Sequence, residues 1–236
     1  MGSNRLKIAC TSASFSQNSA LASEVKELFP KFVLNTRGAK LHGENLVRFL
    51  SDADVAIIGL EKVDDNVLRS CPKLKFIAKY GVGLDNIDLN ACDRHGVQIG
   101  WTGGVNALSV AEMALGFMLM LSRNLFCTSV SLKNGRWEKK GGGQLSSKTI
   151  GIIGIGAVGK QLIKLLQPMN CKILVNETLD QEEFYKDYGL SSTSKDFLIR
   201  HSDFISIHTP LTEETKNMFN RAAFQKMKDS AFLIRL

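Results

Sequence analysis

Short apolar runs alternate along the chain with segments whose apolar residues recur at helical spacing. "LKIAC" (6–10) reads as a strand, and "NSALASEVKELF" (18–29) as an amphipathic helix capped by Asn18 or Ser19. "FVLN" (32–35) predicts a second strand, "GENLVRFLSD" (43–52) a helix and "DVAIIGL" (54–60) a strand. "VDDNVLRSC" (63–71) predicts a helix ended by Pro72, and "LKFIAKYG" (74–81) and "VQIGWT" (97–102) two further strands. Such alternation with short connections is the pattern of a parallel sheet with crossover helices.

A longer helix is predicted over "NALSVAEMALGFMLMLSRN" (106–124), apolar on most of its faces and therefore buried. The polar, glycine-rich stretch 133–149 reads as a connecting arm. A second series then begins: strand and turn at 149–156, and a helix at 157–167 stopped by Pro168. Strands follow at 171–177 and 203–210, a helix at 220–227 and a terminal strand at 231–236. Two α/β units are expected, joined near residues 101–105.

Composition narrows this little. The 236 residues are 44% hydrophobic and 22% charged, which suits folded protein rather than disorder. The start lacks the apolar core of a signal peptide, and Leu6 breaks the myristoyl-acceptor pattern. The run at 113–121 is too short to span a bilayer. A cytoplasmic protein with no membrane partner is expected. Cys10, Cys71, Cys92, Cys127 and Cys171 form no CxxC pair and the four histidines have no ligand spacing, so no metal site is expected. The net charge of +7 is dispersed among acids, which argues for attraction to anionic metabolites and against nucleic acid.

Candidate chemistry enters at "GIIGIGAVGK", which contains Gly154-x-Gly156-x-x-Gly159 between an apolar strand and an amphipathic helix. In a dinucleotide site the first glycine makes the tight turn, the second admits the pyrophosphate and the third lets helix and strand pack closely. The helix start offers free N–H groups to phosphate. Glu177 lies 18 residues beyond Gly159, near the spacing of a ribose-binding carboxylate. A carboxylate there accepts from ribose hydroxyls and repels a 2′-phosphate, which favours NAD over NADP. A methyltransferase also uses a glycine turn and a strand-end acid, but has no need of all three glycines.

Three stretches carry a family resemblance: "KYGVGLDNIDLNACDRHGVQIG" (79–100), "NALSVAEMALGFMLMLSRN" (106–124) and "GRWEKKGGGQLSSKTIGIIGIGAVGK" (135–160). With "DFISIHTPLTEETKNMFNRAAFQKMK" (203–228) they resemble the D-isomer-specific 2-hydroxyacid dehydrogenases, on the phosphoglycerate dehydrogenase-like branch. Gly103 stands where a typical member has Pro. The resemblance implies two doubly wound parallel-sheet domains in an α/β fold. Residues 1–101 would belong to a flavodoxin-like substrate domain, and residues 102–236 to a Rossmann NAD domain truncated at its end, with the active site in the cleft. It implies cofactor contacts from Gly154, Gly156, Ala157, Val158 and Gly159 at the pyrophosphate and Glu177 at the adenosine ribose. His208, Thr209 and Pro210 would lie at a fourth strand's end near the nicotinamide, with Leu236 also on the cofactor side. Val82, Gly83 and Asn106 would face the substrate, although Asn106 could instead cap its helix. His208 is implied to be cofactor-side rather than the acid–base histidine. A homodimer is also implied.

Hydride transfer between nicotinamide and a 2-hydroxy or 2-keto acid needs a cation for the carboxylate and carbonyl. It also needs a histidine to move the proton, with a carboxylate behind it. In the family these three follow the strand that "AFLIRL" resembles, beyond the position of Leu236, so no catalytic residue is expected here. Arg235 falls where the family has Asn, and strand alternation would turn its side chain another way. The chain as given is therefore expected to be an incomplete dehydrogenase with little turnover. The alternative is a non-catalytic NAD(H)-binding regulator, similar to the C-terminal-binding-protein corepressors.

Overall fold

In the computed structural model, residues 6–236 are described. The first five residues, part of the stretch weighed for a signal or acyl group, lie outside the described residues. The chain divides into two units at Gly103 and Gly104.

The first unit runs β1 (Ile8–Cys10), α1 (Ala13–Gln17), α2 (Ser19–Leu28), β2 (Phe32–Leu34), α3 (Gly43–Leu50) and β3 (Val55–Ile58). It continues through α4 (Asp65–Ser70), β4 (Phe76–Lys79), α5 (Leu89–His95) and β5 (Gln98–Gly100). All its strand pairs are parallel, in the order β2-β1-β3-β4-β5, the flavodoxin-like order. Alternation along the strands sorts the side chains onto two faces. Ala9, Ala56, Ile58 and Ile77 pack with Leu46, Leu50, Val67, Leu68 and Ala91 from α3, α4 and α5. Ile8, Cys10 and Ile57 pack with Phe15, Leu21 and Val25 from α1 and α2. Both faces are covered, which is why the strands read as unbroken apolar runs.

The second unit runs α6 (Ala107–Ser122), α7 (Leu125–Lys133), β6 (Thr149–Ile153), α8 (Ala157–Leu166), β7 (Lys172–Asn176), α9 (Glu182–Asp187) and α10 (Lys195–His201). It ends with β8 (Phe204–Ile207), α11 (Arg221–Lys226) and β9 (Phe232–Arg235). Its strands are parallel in the order β7-β6-β8-β9. Ile150, Ile152 and Val175 pack against α6 and α8 through Ala111, Ala114, Met118, Leu162 and Ile163. Ile153, Leu174, Ile205 and Ile207 pack against Leu198, Ile199 and Ala223 of α10 and α11. Gly151 makes room for α10: a methyl there would sit 2.4 Å from Ser202 Oγ and 2.5 Å from Leu198 Cδ2.

Several expectations change. Among the described residues the second sheet has four strands, so "HTP" follows its third strand, not a fourth. α6 is not buried all round: Ala111, Ala114 and Met118 face the core, while Leu108, Met113 and Phe117 are exposed. Asn18 rather than Ser19 caps α2, accepting from the Leu21 N–H. Five helices have no counterpart in the apolar pattern: α1, α5, α7, α9 and α10. Each has ten or fewer residues and buries few side chains.

Candidate functional site

In the second sheet the registers Ile153–Asn176, Ile153–Ile207 and Ile207–Arg235 align the strand ends. The next residues, Glu177, Gly154, His208 and Leu236, therefore leave the sheet as one row. Strand connections reverse direction between β6 and β8, and ligands of such sheets bind outside the carboxyl ends of the strands at that point. Gly154 and His208 occupy it.

The three glycines serve different constraints. Gly154 has φ +91°, and a methyl there would come within 2.8 Å of the His208 carbonyl. A methyl on Gly159 would lie 2.2 Å from the Gly154 carbonyl oxygen, so only glycine lets α8 come this close. Gly156 is exposed, and a methyl on it would meet nothing within 4 Å. Packing explains Gly154 and Gly159 but not Gly156. The space in front of Gly156 is open at the start of the ten-residue helix α8. There the first backbone N–H groups, including those of Ala157, Val158 and Gly159, have no partner within the helix, and the helix dipole adds partial positive charge. Ala157 is exposed and Val158 half-buried.

Glu177 reaches back to this turn. Its Oε2 accepts from the Ile155 N–H at 2.7 Å. Its Oε1 accepts from the N–H groups of Thr178 at 2.7 Å and Leu179 at 3.2 Å, and from the Thr178 hydroxyl at 3.2 Å. Partial burial opposes the charge, but these donors outweigh it and hold the carboxyl below its usual range. An ionised carboxylate thus stands beside the glycine turn. A cavity of about 640 Å³ flanks the following segment, lined by Lys160, Asp180, Glu182, Glu183 and Phe184 among others. Its lining carries four carboxylates against two lysines, which does not suit a phosphate.

His208 is half-buried. Its Nε2 lies 2.8 Å from the Oγ of Ser206, which is fully buried, and burial pushes its pKa down to about 4. The ring is therefore neutral at pH 7, which fits a fixed wall of the site better than a proton carrier cycling near neutrality. Ser206 was not singled out from sequence, although a period of two already puts residues 206 and 208 on one face. Thr209 is half-buried beside Gly154: a methyl on that glycine would be 3.0 Å from Thr209 Cγ2. Pro210 is exposed, its carbonyl accepting from the Thr215 hydroxyl at 2.6 Å. Leu236 follows β9 and is exposed. Arg235 is exposed too, with no salt-bridge partner among the described residues.

Asn106 occupies the cap position of α6, but its side chain makes no capping bond and is exposed. Capping therefore does not account for it. Val82 and Gly83 belong to the first unit, in a loop after β4. There the Trp101 Nε1–H donates to the Val82 carbonyl at 2.9 Å. Sequence reasoning missed the polar group of Thr11, Glu61, Lys79 and Asn86, of which Lys79 and Asn86 flank this loop; its members are too far apart along the chain to form a motif.

Residues 115–236 match the family model described as D-isomer specific 2-hydroxyacid dehydrogenase, NAD binding domain. The chain is 36% identical over 210 residues to hydroxypyruvate reductase of Thermotoga maritima, spanning 88% of this chain and 68% of that one. It is 33% identical over 194 residues to D-3-phosphoglycerate dehydrogenase of Archaeoglobus fulgidus, spanning 81% of this chain but only 37% of the relative. Among solved structures, D-lactate dehydrogenase from Aquifex aeolicus complexed with NAD and lactic acid superposes with a TM-score of 0.84 at 25% identity. That match covers 97% of this chain and 68% of the other.

Proposed function

Because this chain belongs to the D-isomer specific 2-hydroxyacid dehydrogenases, a family of NAD-binding oxidoreductases, we propose that residues 154–159 hold the pyrophosphate of NAD for oxidation of a small D-2-hydroxy acid, or reduction of the matching 2-keto acid. The observation that carries this reading is the open, exposed Gly156 at the start of α8, with the Glu177 carboxylate tied to the same turn. In this reading Gly154, Gly156, Ala157, Val158 and Gly159 present the turn to the phosphates, and Glu177 accepts from the adenosine ribose. His208, Thr209, Pro210 and Leu236 border the nicotinamide half, while Val82, Gly83 and Asn106 serve the substrate.

Bound NAD would supply the hydride acceptor. The residues of this chain bind and orient it: α8 by its amides, Glu177 by its charge, and His208 as a neutral ring fixed by Ser206. The relatives named above are called after hydroxypyruvate, phosphoglycerate and lactate, all 2-hydroxy or 2-keto acids, and the reading extends no further than that class. Residues 1–236 alone are proposed to turn over little, since burial keeps the His208 ring neutral and Arg235 falls where the resembled family has Asn. A homodimer is proposed from the exposed apolar side chains of α6 and α7, such as Leu108, Met113, Phe117, Phe126 and Leu132. Among the described residues no single helix is long and apolar enough to cross a membrane, and a cytoplasmic place is part of the proposal.

Titration of the 236-residue chain with NADH, with turnover assayed on hydroxypyruvate, glyoxylate and pyruvate, tests the reading. Saturable binding with at most traces of oxidation is expected. Rapid oxidation would contradict the assignment of catalysis to other residues, and absence of binding would contradict the cofactor site. Binding without turnover that persists in the natural product would favour the regulatory reading.

A further inference from the structure

The first unit contains a polar group that the cofactor site does not use. It lies at the end of the first sheet where β1 and β3 part, the ligand-binding position of a flavodoxin-like sheet. Thr11 follows β1, Gly59 and Glu61 follow β3, and Lys79 ends β4. Glu61 is 2% exposed, and its Oε2 accepts from the Thr11 hydroxyl at 2.8 Å and from the Gly59 N–H at 2.9 Å. A carboxylate so buried is stable only with such donors, and here they fix the course of the chain after β3.

Lys79 joins that segment to the loop after β4. Its Nζ donates to the Gly59 carbonyl and, at 2.8 Å, to Asn86 Oδ1. The Asn86 side-chain amide donates in turn to the carbonyls of Gly59, at 3.2 Å, and Glu61. The Val63 N–H donates to the Asn86 carbonyl at 2.8 Å. Between Lys79 and Asn86 lies Gly81-Val82-Gly83. Gly81 has φ +131°, and a methyl on it would lie 3.9 Å from the Lys79 Nζ, so the amine sits directly beside the loop. The Trp101 Nε1–H donates to the Val82 carbonyl of the same loop. Burial lowers the pKa of the Lys79 amine, opposed by the charges of Asp85 and Glu61. A half-buried ammonium that spends its donors on a carbonyl and an amide is a structural tie, not a surface charge.

We infer that Lys79 is a positioning residue: through the Gly59 carbonyl and Asn86 it fixes the Gly81–Gly83 loop in the shape that receives the 2-keto acid. This rests on the substrate-side reading of Val82 and Gly83 given above. Lys79 touches neither substrate nor cofactor in this account. It acts on the loop, and the loop acts on the substrate.

The test uses the whole chain with Lys79→Met, Lys79→Arg and Trp101→Phe. Amide hydrogen exchange is read at Val63 and Ile87, whose N–H groups donate to the Asn86 and Leu84 carbonyls of the loop, and the affinity for oxamate, an unreactive 2-keto acid mimic, is measured with NADH saturating. Loss of a charge-assisted tie corresponds to about a tenfold change. Lys79→Met is expected to speed exchange in the loop and weaken oxamate by about that factor. Lys79→Arg should recover most of both effects, with NADH affinity unchanged throughout. If Lys79→Met does not fold, Trp101→Phe, which removes the bond to the Val82 carbonyl together with the part of the ring beside Gly103, is expected to loosen the same amides. Unaltered exchange in the folded variants would overturn the inference, as would faster exchange with oxamate affinity intact. Failure of the cofactor reading would show separately, as no NADH binding by the unsubstituted chain, while loop exchange still reports on Lys79.

Discussion

Glu177 Oε2 stands 2.7 Å from the backbone nitrogen of Ile155, the residue between the first two glycines of the turn. One carboxylate thus joins the end of β7 to the loop after β6. In the proposed reading it also places negative charge at the ribose, so the group proposed to select the cofactor also shapes the loop proposed to receive it.

Glu177→Gln keeps the size but removes the charge. NADH affinity is expected to fall about tenfold, the usual result of losing charge-assisted hydrogen bonds. The preference for NADH over NADPH should narrow as repulsion of the 2′-phosphate disappears. Fluorescence titration with both cofactors checks this, and an unchanged NADH/NADPH ratio would contradict it.

Gly156→Ala and Gly159→Ala should separate binding from folding. The first adds a methyl to open space, so the unfolding free energy should move by less than about 0.5 kcal/mol while NADH binding is lost. The second drives a methyl onto the Gly154 carbonyl, 2.2 Å away, and should cost about 1–3 kcal/mol. Urea unfolding of the two variants checks the pair, with equal destabilisation as the contrary outcome.

His208 makes stability depend on pH in a defined window. Its pKa falls from 6.5 in the unfolded chain to about 4 in the fold. Below 6.5 the unfolded chain therefore binds a proton that the folded chain refuses, and stability declines as pH falls from 6.5 toward 4. The full cost is about 3 kcal/mol, from roughly 1.4 kcal/mol per pKa unit. Glu177 acts with the same sign but lower. Its contribution is complete above the ordinary carboxyl pKa of 4.5 and is lost as pH falls through the folded value below it. His208→Gln should flatten the decline between pH 6.5 and 4.5, measured by urea unfolding at several pH values. An undiminished slope would show that other groups cause it.

Asn106→Ala tests whether that side chain serves its helix. With no capping bond to lose, stability should change by less than about 0.5 kcal/mol. Asn220→Ala is the control, because its side chain does cap α11, accepting from the Ala223 N–H at 3.1 Å, and should cost about 1 kcal/mol. Equal losses in thermal unfolding would count against the distinction.

Much of the architecture was legible where burial on both faces writes itself into composition, as in "TIGII" and "DVAII". The glycine turn was legible because Gly154 and Gly159 answer to atoms brought close by the strand and helix on either side of them. α10 was missed although Ser194 caps it, accepting from the Phe197 N–H at 3.2 Å, and length is not the reason, since the six-residue α4 and α11 were legible. α7 was hidden differently: Leu125, Phe126, Val130 and Leu132 are apolar yet exposed, so the pattern has no polar face to read. The Glu61–Thr11 bond joins residues 50 positions apart, and no local pattern announces it.

The central claim is that the turn at 154–159 receives NAD. Amide hydrogen exchange of the whole chain with and without NADH tests it most directly, read at Gly156 through Gly159 and at the β1–β3 end of the first sheet. Protection concentrated at the Gly156–Gly159 amides, and absent in Gly156→Ala, is the predicted result. NADH binding that leaves those amides unprotected, or that survives intact in Gly156→Ala, would contradict the account.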